Sequence, residues 1–307
     1  MVIVSLGGRP LAQTVPKLDY RLTPSGGPVA VMEKTDLRLT FVSAVNDEEV
    51  YRSNFCSSPL FEGLHPHQLI CRKGYCSTAK AYNGAIDEAE NDLVAFVHQD
   101  VVLPASWIDC VKKAIDWLSD NDPEWGVLGC YGVTTEHEFV GHLFCASQGR
   151  ILGQPFESPV EVATLDELIL IVRGSTGIRF DELLPDFHFY GMDICMLARS
   201  RGNRCYAISA FCLHNANRTL RFPAGFFKAA DYVRRRWRAF LPIKTTCIIL
   251  RKSRADLYMR YRYLANLKLF ALRVLGKDMG TATRFKDPLP ILDKLLSRRD
   301  LQEGRGT

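Results

Sequence analysis

Several things this 307-residue chain lacks narrow the field before any motif is read. No apolar run approaches the roughly 18 residues that would cross a bilayer. The N-terminal MVIVSLGGRPLAQ has neither the basic start nor the long apolar centre of a secretory signal, so a cytoplasmic location is expected. The ten cysteines contain no C-x-x-C pair and are scattered from Cys56 to Cys247, several inside apolar runs. Free, mostly buried thiols are therefore expected, and neither a disulfide framework nor a structural zinc site. Neither G-x-x-x-x-G-K-[ST] nor G-x-G-x-x-G occurs, and there is no internal repeat, so any nucleotide must be held without a glycine-rich cradle.

What is present is an ordinary globular composition, 47% hydrophobic and 24% charged, long enough for one large domain plus an appendage. The net charge of +5 hides a split: from Arg218 onward there are 22 basic against 7 acidic side chains, leaving 17 against 27 in the first 217 residues. An acidic body with a basic tail suits contact between the tail and something anionic, a membrane surface, a nucleic acid or a nucleotide, or else a solvated basic face.

Residues 1–35 are rich in glycine, proline and polar residues and read as an arm. The pattern then changes. LRLTFVSAV (37–45), HQLICRK (67–73), DLVAFVHQD (92–100) and GVLGCYGV (126–133) read as strands. Between them, DEEVYRSNFCSSPLF (47–61), STAKAYNGAIDEAEN (77–91) and SWIDCVKKAIDWLSDN (106–121) read as helices, the last two started by Ser77 and Ser106. This alternation predicts βαβ units and a largely parallel sheet covered on both faces. Further on, FVGHLFCASQGRIL, VEVATLDELILIVRGS and RCYAISAFCLHN read as strands, and FHFYGMDICMLARSRGN as a loop feeding a helix. Two helical stretches follow, FPAGFFKAADYVRRRWRAF and RADLYMRYRYLANLKLFALRVLG. The second is amphipathic, with Leu257, Leu264, Leu267 and Leu275 among its apolar positions and Gly276 suited to its end.

In an open α/β sheet the ligand crevice lies at the carboxyl ends of the strands, so Asp100, at the end of the third strand, is delivered to it. A strand-end carboxylate without a glycine-rich loop suggests phosphates met through a divalent cation, Mn²⁺ or Mg²⁺. His214 likewise ends a later strand.

The stretches AYNGAIDEAENDLVAFVHQDVVLPASW, GVLGCYGV and LDELILIVRGSTGIRFDELLPDFHFYGMDICMLARSRGNRCYAISAFCLHN resemble the GT-A glycosyltransferases of the family-2 type. They are closest to the branch similar to the streptomycin-biosynthesis StrF domain, and the similarity runs from about Leu37 to about His214. The resemblance implies a GT-A fold over 36–217, a Rossmann-like mixed, mostly parallel sheet flanked by helices, with 218–307 a basic helical extension. It implies an inverting, metal-dependent glycosyltransferase moving a sugar from a UDP-, GDP- or dTDP-linked donor to a hydroxyl of a saccharide acceptor. His98-Gln99-Asp100 stands where the family has D-x-D, close to the branch's H-Q-D-V. This implies that Asp100 holds the cation and that His98 and Gln99 lie at the donor. His214, in LHNAN, resembles the histidine that completes the metal site. FHFYGMD stands at the family's E-D-like motif and makes Asp193 the implied general base. Asp166 in TLDEL resembles the acceptor-side V-D-G segment, with Glu167 where glycine is usual, and His188, Phe189 and Tyr190 are expected to line the acceptor pocket. Asn46, Asp47 and Glu48 follow the first strand and Lys73 the second, where the family holds the nucleoside. Lys80 and Asn83 in AKAYNGAI resemble the family's A-R-N-x-G segment.

Arg234, Arg235, Arg236 and Arg238, with Trp237 and Phe240, give the tail the mixture found in helices lying on membranes. Nucleic-acid binding has the charge but no recognisable reading module. Two other functions fit the same pattern less well. A nucleotidyltransferase would need a G-x-G-T-R-like loop where FVSAVNDEEV stands, and a non-catalytic sugar-nucleotide or glycan binder would need no base.

Overall fold

The computed structural model describes residues 20–22, 28–30, 37–217, 221–274 and 284–303. The chain divides into two compact units, Met1–Asp36 and Leu37–Thr307. In the first, Tyr20–Leu22 pairs antiparallel with Pro28–Ala30; the rest of the expected arm lies outside the described residues.

In the second unit the expected alternation appears. β1 (Thr40–Val45) leads to α1 (Glu48–Ser53), β2 (Gln68–Lys73) to α2 (Thr78–Asp87), and β3 (Leu93–Val97), through a short β4 (Val101–Val102), to α3 (Trp107–Asn121). Then come β5 (Trp125–Gly129), β6 (Tyr131–Val133), β7 (Phe139–Cys145), β8 (Arg150–Gly153), β9 (Val160–Glu161), β10 (Thr164–Leu165) and β11 (Ile169–Arg173). α4 (Tyr190–Ser200), β12 (Arg204–Ala207), β13 (Cys212–His214) and α5 (Ala224–Arg236) follow. The remainder is β14 (Ile243–Lys244), β15 (Ile249–Leu250), α6 (Arg254–Tyr258), a π-helical stretch Met259–Leu264, α7 (Ala265–Val274) and α8 (Leu289–Glu303).

Seven strands form the large sheet in the order β9-β12-β5-β11-β3-β1-β2. β1 is parallel to β2 and β3, and β12 to β5, while β11 runs antiparallel between β3 and β5. Five strands thus point one way, giving the mixed, mostly parallel sheet flanked by helices that the sequence predicts. Because successive strand side chains point to opposite faces, each strand feeds two cores. Val42, Val94, Phe96 and Leu170 pack with α2, α4 and α5, whereas Phe41, Ala95, Val97 and Ile171 pack with α3. α3 meets them with Trp107, Val111, Ala114 and Leu118, spaced for one helix face.

Some local expectations change. Ser77 and Ser106 occupy the N-cap positions of α2 and α3, but neither hydroxyl caps its helix. Of the ten free cysteines, five are buried and Cys56, Cys71, Cys76 and Cys247 are exposed, so the thiols are not mostly buried. Two predicted strands each break. GVLGCYGV leaves the large sheet at Cys130 to become β6, and RCYAISAFCLHN divides into β12 of the large sheet and β13 of a second. That second sheet has the order β10-β6-β7-β13-β4, with β8 added on β7. Its pairing of Val101 with His214 brings the two expected metal ligands together.

The boundary expected at 217 does not divide two bodies. Phe226, Phe227, Ala229, Ala230 and Val233 of α5 enter the same core as α2 and α4, and Phe285, Leu289 and Leu292 pack on the second sheet. In the last amphipathic stretch Leu257 is buried while Leu264 and Leu267 are exposed; Leu275 and Gly276 lie outside the described residues. Among the described residues no helix is long and apolar enough to cross a membrane.

Candidate functional site

The strand ends of β1, β2 and β3 open into a cleft of about 620 Å³ lined by Asn46, Glu48, Lys73, Tyr82, His98, Gln99, Asp100 and Tyr190, among others. Asp100 is not the last residue of β3, which ends at Val97; it lies in the turn before β4. Gln99 ties two strand ends together, its Oε1 accepting from the N–H groups of Asn46 (3.0 Å) and Asp47 (3.1 Å) and its Nε2 donating to Asn46 Oδ1 (2.6 Å). Lys73 faces the cleft paired with Glu48 at 2.7 Å. Both are about half exposed, so the pair contributes little to stability and is free to exchange for a ligand.

A second cavity of about 1170 Å³ adjoins, lined among others by His98, Cys145, Asp166, Glu167, His188, His214, Arg221 and Thr246. His98 borders both spaces, Asp100 the first and His214 the second. Ligand atoms of these three residues all lie within 4.8 Å of one another. His214 Nε2 stands 3.4 Å from Asp100 Oδ1. Burial opposes ionisation of Asp100, but His214, His98 and Arg284 outweigh it and hold the carboxyl well below its usual range. Burial likewise disfavours a charged His214, yet Asp100 pushes its pKa up to about 10. His98 differs: burial keeps it below the ordinary histidine value and therefore neutral. Tyr190 Oη donates to Glu167 O (3.0 Å) and lies 2.8 Å from His98 Nε2; with that nitrogen donating to the tyrosine, Nδ1 is the one free to ligate. A neutral imidazole fixed by an outer partner, a second imidazole and an ionised carboxylate make a donor set that fits a divalent transition metal.

In the larger cavity Asp166 Oδ1 accepts from Leu168 N–H (3.1 Å) and Oδ2 from the Thr246 hydroxyl (2.6 Å). The neighbouring Glu167 has its pKa pushed up to about 8 by burial and by Asp166, against hydrogen bonds from the Gly191, Phe189 and Tyr190 N–H groups at the start of α4. His188 packs edge-on against Phe226 at 5.4 Å.

Several sequence-predicted residues lie elsewhere. Asp193 is 1% exposed and lines neither space. Its Oδ1 accepts from Trp237 Nε1 (2.6 Å), with Arg236 Nε at 3.7 Å, because α5 lies across the first turn of α4. Burial raises its pKa to about 6, aided by Asp181 and opposed by Trp237 and Arg236. Asp47 caps α1, accepting from Val50 N–H at 3.1 Å. Asn83 is spent on the backbone of Phe180, donating to its O and accepting from its N–H, each at 2.9 Å. Lys80 is exposed on α2 and lines neither space. Tyr190 lines the smaller cleft and not the larger cavity. Thr246 and Arg284 were not legible as site residues, since each is brought in by tertiary packing from the basic tail. Asp166, Glu167, His188 and Phe189, all named from the sequence, do line the larger cavity.

No family model matches the chain. It is similar to a curated protein of Fuscovulum blasticum described as "ATP synthase subunits region ORF 6", at 29% identity over 158 residues. That match covers 48% of this chain and 61% of the relative, less than two thirds of its length. Among solved structures it resembles Staphylococcus aureus TarS 1–349 at 15% identity and a TM-score of 0.42, covering 64% of each chain. It also resembles the mannosyltransferase PcManGT of Pyrobaculum calidifontis in complex with GDP-Man and Mn²⁺, at 14% and 0.42, covering 86% of this chain and 80% of that one. A third is GalNAc-T7 with UDP, GalNAc and Mn²⁺, at 9% and 0.41, covering 66% and 48%. Superpositions of this extent carry no argument about activity, which has to be read from the site itself.

Proposed function

We propose that the chain is a metal-dependent glycosyltransferase that moves a sugar from a nucleoside-diphosphate donor to a hydroxyl of a saccharide acceptor with inversion. The observation that carries this reading is the position of His98, Asp100 and His214 on the seam between two spaces, a cleft at the strand ends and a cavity holding its own carboxylates. The cleft takes the nucleotide, with Asn46 at the nucleoside and Lys73 leaving Glu48 for a phosphate oxygen. The three seam residues hold the cation, and two imidazoles make Mn²⁺ a better fit than the oxygen-preferring Mg²⁺. When bound it offsets the negative charge that develops on the departing diphosphate.

Asp166 faces the acceptor. Its Oδ2 takes the hydroxyl proton as the acceptor oxygen bonds to the anomeric carbon and the bond from that carbon to the diphosphate oxygen breaks. Glu167 keeps its own proton at neutral pH and so does not add a second negative charge beside Asp166. With donor and acceptor entering from opposite sides of the seam, attack comes from the face opposite the leaving group. Asp193 serves the architecture, joining α4 to α5 through Trp237.

The test is incubation with Mn²⁺ and a panel of UDP-, GDP- and dTDP-linked sugars, following nucleoside diphosphate release with and without EDTA. Release from one donor, abolished by EDTA, is expected. No release across the panel, together with turnover of a nucleoside triphosphate and a sugar phosphate, would replace this reading with a nucleotidyltransferase.

A peripheral contact with an anionic bilayer also belongs to this reading, but on a different helix from the one expected. Arg234 and Arg236 are engaged with Asp231 and Asp181, and Trp237 is buried. Met259, Tyr263, Leu267, Phe270 and Val274, by contrast, are exposed at spacings that share one helix face. Of the exposed basic residues nearby, Arg254 is paired with Asp231 and Arg251 and Arg260 with Asp256, which leaves Lys252 and Arg262 as the cations without an ion pair among the described residues. Like charges on two copies disfavour self-pairing of this face, while an anionic surface satisfies both its charge and its apolar stripe.

A further inference from the structure

Arg284 reaches the site from the far end of the chain. Its Nη2 lies 3.3 Å from Asp100 Oδ2, the oxygen that does not face His214. Its Nε donates to Asn215 O (2.9 Å), and its backbone N–H to Asn217 Oδ1 (2.9 Å). The side chain is 22% exposed, unlike a solvated surface arginine.

The placement is built rather than incidental. Asn215, 0% exposed, accepts at Oδ1 from Phe285 N–H (2.8 Å), donates from Nδ2 to Phe285 O (2.9 Å) and to Asn54 Oδ1 (2.7 Å), and donates its own N–H to Asp100 O (2.8 Å). One buried amide therefore fixes the tail, the end of β13 and the backbone of Asp100 relative to one another. Phe285 and Leu292 seat the segment against Val102, Phe144 and Leu213 of the second sheet, whose β4 follows Asp100 and whose β13 ends at His214. A guanidinium has five N–H donors in a planar fork matched to phosphate oxygens. Here one serves Asn215 and one Asp100, and Nη1 has no hydrogen-bond partner among the described residues.

We propose that Arg284 is a diphosphate-binding residue, a fixed positive charge that meets the donor's phosphate oxygens beside the His98–Asp100–His214 seam. Arg284, which lines neither space but borders the seam through Asp100, then joins the segment from 284 onward to the site. The two oxygens of Asp100 divide the labour, Oδ1 toward His214 and the cation position, Oδ2 toward the arginine. The inference rests on the sugar-nucleotide reading of this site and makes a claim that reading does not need: part of the diphosphate affinity survives without metal and depends on one side chain.

The test uses the full chain with Arg284→Gln and Arg284→Met, the second keeping most of the aliphatic stem, each checked by thermal melting. UDP, GDP and dTDP affinities are measured by calorimetry in EDTA and in Mn²⁺, and Mn²⁺ affinity alone by electron paramagnetic resonance. For the nucleotide that the unsubstituted protein binds, folded variants are expected to lose about tenfold in affinity in both conditions, a charge-assisted bidentate contact being worth roughly that much. Binding of the corresponding nucleoside, which carries no phosphate, should stay within about twofold of the parent, and Mn²⁺ binding should not weaken, since the substitution removes a cation 3.3 Å from Asp100 Oδ2. A folded variant that binds the diphosphate as the parent does, in EDTA and in Mn²⁺, overturns the role of Arg284 and leaves the sugar-nucleotide reading standing. A parent protein that binds none of the three nucleotides in either condition overturns both.

Discussion

Asp193 and Asp166 separate structure from chemistry at the scale of single residues. A carboxyl whose folded-state pKa rises from 3.8 to about 6 is preferentially protonated in the native state. The stability it contributes is complete below about pH 4 and is lost as pH rises through about 6, a change of about 3 kcal/mol for two pKa units. Asp193→Asn is therefore expected to reduce by about half, not abolish, the fall in stability between pH 4 and 6, because Glu167, raised from 4.5 to about 8, contributes a decline of the same sign that starts in that window and continues toward pH 8. Transfer by the folded variant should stay within a few-fold of the parent. Asp166→Asn should instead lower kcat by about 10²–10⁴ with nucleotide affinity unchanged, the range for a lost general base. A loss of that size in Asp193→Asn with little loss in Asp166→Asn would return the base to Asp193. The sequence shows why Asp193 attracts that role, since it stands in the first turn of a helix. It cannot show Trp237, 44 residues on, donating to this carboxylate in a buried contact away from both spaces. Asp100, His98 and His214 were legible because each ends or follows an apolar run at the sheet edge. Arg284 was not, being 184 residues from Asp100 and placed by tertiary hydrogen bonds and packing that the sequence does not display.

Among elements, α2 offers the clearest case of a family-like motif doing mechanical work. Asn83 exchanges both of its amide hydrogen bonds with Phe180, pinning the segment before α4 against α2 beneath the ring cluster of Tyr82, Phe96 and Phe180. Replacing it with alanine strands one backbone donor and one acceptor, so a loss of about 2–4 kcal/mol in unfolding free energy is expected by denaturant titration. Donor affinity should be unchanged, and a large drop in nucleotide binding without a stability change would give Asn83 the donor role that its motif suggests. The βαβ rhythm up to Gly129 was readable because the hydrophobic period switches cleanly between strand and helix. Beyond it the reading loses resolution for a physical reason. A continuous apolar run such as RCYAISAFCLHN is equally buried whether it stays in one sheet or passes between two, so Ile208–Phe211 carries no mark of the crossing from β12 to β13. Yet that crossing sets the Val101–His214 register, and with it the His98–Asp100–His214 cluster.

For the molecule as a whole, the charge split visible in the composition becomes a division between the inside and the outside of one compact unit. Part of the basic tail is consumed internally: Arg236 on Asp181, Arg254 on Asp231, Arg284 on Asp100. What remains outward clusters with the apolar face between Met259 and Val274, where Phe270 and Val274 are 66% and 68% exposed. Such a surface should bring the site to a lipid-borne acceptor by electrostatic attraction followed by shallow insertion, so both anionic lipid and low salt are required, the Debye length being about 10 Å at 0.1 M. The full chain is expected to co-sediment with vesicles containing phosphatidylglycerol and not with pure phosphatidylcholine, and to be released by about 0.5 M salt, where screening is far stronger. Leu267→Glu combined with Phe270→Glu alters only exposed side chains, so it should abolish sedimentation while leaving melting temperature and transfer to a soluble acceptor unchanged. If the parent is instead a dimer by light scattering, and the paired substitution makes it monomeric without affecting vesicles, the stripe is an interface between copies and the membrane reading fails.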